Sequence, residues 1–68
     1  MDEPILETPF ELAVRAIKLT LMAPTLALAE ESAFIGATII TKFQFSELRQ
    51  DQARALAMAE AFLAMGSK

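Results

Sequence analysis

The stretch that most limits what this chain can fold into is "SELRQDQARALAMAEAFLAMG", residues 46–66. Ser46 is a good N-cap and Gly66 a good helix stop, and the interval between them is rich in alanine and leucine, which are strong helix formers. The spacing predicts a helix over 47–65, about 28 Å long. Helices in proteins owe most of their stability to packing one apolar face, so something else must cover this one. At 100° per residue, Leu48, Ala55, Leu56, Ala59, Phe62 and Leu63 share one apolar arc, broken only by Gln52. That arc is expected to face the core, and Leu56→Ala is expected to cost roughly 2–5 kcal/mol.

On the opposite side, Ala53, Ala57, Ala61 and Ala64 form a ridge flanked by Arg49, Arg54 and Glu60. Alanine fills exposed helix positions readily, but a ridge of small side chains also lets a second helix come close. Met58 and Met65 widen the apolar perimeter with side chains that adapt to varied partners. These nine residues are the candidate partner-binding surface. If the ridge were only solvated helix, Ala57→Glu would change stability by about half a kcal/mol or less.

Residues 37–45, "ATIITKFQF", read as a strand. Thr38, Ile39, Ile40 and Thr41 are β-branched, and Phe43 and Phe45 follow in alternation with Gln44. A lone strand leaves its backbone groups unpaired, and the nearest partner is 16–22, where Ile17, Leu19 and Leu21 alternate with Lys18, Thr20 and Met22. The same region has a helical signature: Thr8 as N-cap, Pro9 at the first helical position, Glu11 at the third, then Phe10, Val14, Ile17 and Leu21 at helical spacing. Pro24 ends either element. Residues 25–33 suit a short helix that Gly36 closes. The expected fold is therefore α+β: a small β-(short helix or loop)-β-α unit, its C-terminal helix packed on a short sheet completed by dimerisation. The alternative is all-α, a helical hairpin or three-helix unit. Residues 1–8 read as a flexible acidic arm and 9–68 as a single small domain.

A chain of 68 residues that is 54% hydrophobic has little interior in which to hide that much apolar surface. Cysteine is absent, so no disulfide or thiolate metal site can support the core, and histidine is absent too. Self-association or binding to another protein is then the expected support. Catalysis has little to draw on: without His, Cys or Tyr the common bases, nucleophiles and proton shuttles are missing. The adjacent Glu30 and Glu31 point about 100° apart on a helix and do not converge on one metal ion. Gly36 and Gly66 alone cannot make a phosphate-binding loop. No enzyme activity, cofactor or metal is expected.

The net charge of −3, with Arg15, Lys18, Lys42, Arg49, Arg54 and Lys68 scattered, argues against nucleic acid and gives no polybasic segment for anionic lipid. Leu19–Ala29 is an apolar-dominated run, but its acidic leader lacks the basic start of a secretion signal. Charged residues interrupt every window of spanning length. The expectation is a small acidic cytoplasmic protein that binds proteins without catalysing a reaction. It would act as a homodimer, possible roles being regulator, inhibitor or assembly factor. The alternative is an amphipathic membrane-surface protein using residues 9–29, with only Arg15 and Lys18 to meet lipid headgroups.

Overall fold

A computed structural model describes residues 8–66 and contains three helices: α1 (Pro9–Met22), α2 (Leu26–Lys42) and α3 (Glu47–Gly66). Among the described residues there is no strand, which overturns the α+β expectation and leaves the all-α alternative as the fold. The expected acidic arm, apart from Thr8, lies outside the described residues. The chain runs up, down and up, with α1 packed against both other helices while α2 and α3 hardly touch. Parallel alignment of α1 and α3 follows from two pairings, Phe10 with Arg49 near their starts and Lys18 with Glu60 further along.

The helix starts are written in local chemistry. Thr8 Oγ1 accepts from the Glu11 N–H at 3.1 Å, and the Glu11 carboxylate accepts from the Thr8 N–H at 3.0 Å, with Pro9 at the first helical position. This capping box satisfies two of the orphan donors at the end of α1. Thr25 Oγ1 caps α2 through the Leu28 N–H at 3.2 Å, and Ser46 Oγ caps α3 through the Arg49 N–H at 3.1 Å.

The expected strand at 37–45 and the expected stop at Gly36 both fall inside α2, which continues to Lys42. β-Branched residues disfavour a helix only by tenths of a kcal/mol each, and packing on α1 outweighs that here. Gly36 is buried, and a Cβ built on it would stand 3.4 Å from the Ala16 Cβ, so the helices meet almost backbone to side chain. Ile39 packs against the core one turn later. The hydroxyl of Thr38 donates to the Phe34 carbonyl at 2.8 Å, so its polar group is satisfied within the helix. The expected strand at 16–22 is likewise the C-terminal half of α1, where the Thr20 hydroxyl donates to the Ala16 carbonyl at 2.9 Å.

After Lys42 the backbone reverses. Gln44 N–H donates to the Thr41 carbonyl at 3.2 Å and Phe45 N–H to the Ile40 carbonyl at 3.1 Å. These paired bonds make a Schellman turn, which places one residue in the left-handed region, a position glycine fills most often. Here it is Gln44, with φ of 53°. Phe45 then turns inward against the core. An L side chain in this region costs roughly 1–2 kcal/mol, part of which glycine would return as chain entropy. Gln44→Gly is therefore expected to stabilise the fold by about 0.5–1 kcal/mol. Chemical denaturation checks this, and a loss of stability would contradict the assigned turn.

Candidate interaction surface

The core is made of small side chains. Ala13, Val14 and Ala16 on α1 and Ala53, Ala57 and Ala61 on α3 are all at most 4% exposed. Among the described residues no large side chain is fully buried; Phe10, Ile17, Ile39 and Phe45 are half-buried around the alanine contact. The large apolar residues point outward instead. Leu48, Phe62 and Leu63 are each about 70% exposed, and Leu26 and Phe34 are 74% exposed.

This reverses the expected orientation of α3. The Leu48–Leu63 arc, expected to cover the core, is its outer face, while three members of the alanine ridge lie against α1 of the same chain. The physical reason is distance. α1 meets α3 through Ala13 and Val14, and at that close approach a ridge of single methyl groups fits where leucine and phenylalanine do not.

The nine expected partner-binding residues therefore part company. Ala53, Ala57 and Ala61 are interior. Ala64, at the end of the same ridge, is exposed. Arg49 lies over two rings, 4.8 Å from the Phe10 centroid and 5.8 Å from that of Phe45, and so fastens α3 to α1 and the turn through cation–π contact. Glu60 faces Lys18 of α1 at 3.8 Å. Arg54 pairs with Asp51 at 2.8 Å and reaches the groove between α2 and α3 beside Ile40. Met58 and Met65 remain exposed, flanking Phe62.

The residues missed by sequence reasoning are the outward ones: Leu26, Leu28, Phe34 and Ile35 on α2, and the arc on α3. A signal for them was present. Alanines at 53, 57 and 61 repeat every four residues and match Ala13 and Ala16 on α1, a small-on-small pattern that helix pairs use for close contact. Beyond Arg54, α3 carries only one charged side chain, Glu60, which faces α1. A helix segment that is apolar all round is normally covered all round.

Nothing in the site gathers reactive groups. Among the described residues no three acidic side chains come together to hold a metal ion. Glu30 and Glu31 line an open depression on α2 with Ala27, Phe34 and Ile35. Among the described residues no helix is long and apolar enough to cross a membrane.

Two substitutions on neighbouring α3 positions test the reversed orientation. Ala57→Glu places a carboxylate in a fully buried contact and is expected to cost roughly 3–5 kcal/mol, comparable with the whole stability of so small a domain. Leu56 is 43% exposed, so Leu56→Ala is expected to cost only about 1–1.5 kcal/mol. Circular dichroism with urea titration ranks them, and a well-folded Ala57→Glu would refute the α1–α3 contact.

No protein family, characterised protein or solved structure matches this chain.

Proposed function

We propose that this chain is a non-enzymatic protein–protein interaction module that works as a homo-oligomer, with a role as regulator, inhibitor or assembly factor. One observation carries the proposal: large apolar side chains lie outside and alanines inside. Fourteen leucine, isoleucine, phenylalanine and methionine side chains among the described residues are more than a third exposed. The largest apolar patch on an ordinary monomer is about 300–600 Å² and is often functional. Apolar burial is favourable by ~25 cal/mol per Å², so a surface of this kind drives association. The exposed methionines suit a surface that must accommodate more than one contour.

The membrane-surface alternative over 9–29 fits this arrangement less well. Ala13, Val14 and Ala16 are packed inside, Lys18 faces Glu60, and the chain breaks between α1 and α2 at Ala23–Thr25. A cytoplasmic setting belongs to the same proposal and is checked by fractionation of the native host.

Multi-angle light scattering across a dilution series is expected to give a mass at least twice 7.4 kDa at micromolar concentration. A monomer mass throughout would refute self-association. Divalent metals, chelators and nucleotides are expected to leave the melting temperature unchanged. A ligand bound only by the folded chain at 100 times its Kd would add about 2.7 kcal/mol, so a clear rise with any of them would reopen an enzymatic or metal-binding role.

A further inference from the structure

The outward apolar residues are not spread evenly. Because α1 and α3 run parallel and α2 runs back, the C-termini of α1 and α3 and the N-terminus of α2 lie at the same end of the bundle. Residues 19–29 and 61–66, which build that end, contain no charged side chain. Leu19, Leu21 and Met22 from α1, Leu26 and Leu28 from α2, and Phe62, Leu63 and Met65 from α3 are all exposed there. The opposite end also exposes Phe43 and Leu48, but sets them among the charged Glu11, Lys42, Glu47 and Arg49 and the polar Gln44 and Ser46.

We propose that this uncharged end is the self-association surface, and that its occupant is the same end of a second copy, giving a two-fold, end-to-end dimer. The inference rests on the self-association reading above and adds where the contact lies and how it is built.

Area is the first support. At roughly 200 Å² for a large apolar side chain, eight exposures between 38% and 74% amount to on the order of 900 Å². A specific interface needs about 800 Å² from each partner, so one end of one copy suffices. Charge is the second support. A two-fold contact sets each patch against itself, which any charged patch resists through like-charge repulsion. Among the described residues this patch has no charge of its own, and Lys18, which precedes it on α1, faces Glu60 within the chain. The carboxylates of Glu30 and Glu31 follow directly on α2, both exposed. Their position at the rim opposes anionic headgroups, which call for basic residues there.

The absence of native cysteine makes the geometry directly testable. Ala27→Cys, exposed on the first turn of α2, is expected to form a covalent dimer on mild oxidation, and Glu47→Cys, at the other end, is not. In a second arm, the Leu26→Glu/Phe62→Glu double variant is expected to weaken dimerisation roughly a hundred-fold in sedimentation equilibrium, because two carboxylates would be desolvated at the contact. Both side chains are more than 70% exposed, and glutamate at the first helical position suits the start of α2, so helicity should persist. Phe34→Glu, on the middle of α2, is expected to leave the dimer intact. Cross-linking through Glu47→Cys but not Ala27→Cys, or a dimer lost in Phe34→Glu and kept in the double variant, would overturn the end-to-end contact while leaving self-association standing. A wild-type chain that is monomeric at all concentrations would overturn both. Flotation of the monomer with phosphatidylcholine vesicles would then assign the apolar end to lipid.

Discussion

Everything else in this molecule depends on how closely α1 can approach its two neighbours. Ala16 meets Gly36 on one side, and Ala13 and Val14 meet Ala53 and Ala57 on the other. Small side chains permit that approach, and the approach then decides which residues have room inside. The half-buried Phe10, Ile17, Ile39 and Phe45 close the edges of the contact without entering its centre. A helix held this way turns its larger apolar side chains toward solvent, and the outward Leu48, Phe62 and Leu63 follow directly from the inward Ala53, Ala57 and Ala61.

The polar groups serve this same contact. Arg49 spans the rings of Phe10 and Phe45 at one end of the α1–α3 pair, and Lys18 with Glu60 spans it further along. An exposed pair of the second kind contributes at most about 1 kcal/mol, so its main effect is on register: it favours the alignment in which alanine meets alanine. Capping residues fix where each helix begins, and the Schellman turn at Gln44 aims the chain from α2 into α3. Local chemistry thus sets helix ends, and close packing sets helix faces.

That division explains what was legible in the sequence. The capping box at Thr8 and Glu11, the cap at Ser46 and the break at Pro24 act within four residues of themselves, and each was readable from the chain alone. The run Thr38–Phe45 was not, because its β-branched residues favour a strand locally and only contact with α1 makes helix the better choice. The faces of α3 were misread for a different reason. Hydrophobic periodicity weighs Leu56 and Phe62 above Ala57, whereas the interior here is selected by size. The two halves of the packing, Ala13–Ala16 and Ala53–Ala61, lie some forty positions apart, so neither reveals the other without knowing that α1 and α3 run side by side. The alanine ridge named as a candidate surface accordingly lies against α1, while Met58 and Met65 border the outward face of α3.

An interior of alanine has a consequence for the heat capacity of folding. The increment on unfolding arises mainly from apolar surface newly exposed to water, and ordinary domains show about 12–15 cal/mol/K per residue. In this chain the side chains that would contribute most, such as Leu26, Phe34, Phe62 and Leu63, are already wet in the folded monomer. Closing the three helices alone therefore changes the hydration of few large groups. The free-energy curve of the single chain should be unusually flat with temperature, its curvature arising instead from whatever step covers the outward leucines and phenylalanines.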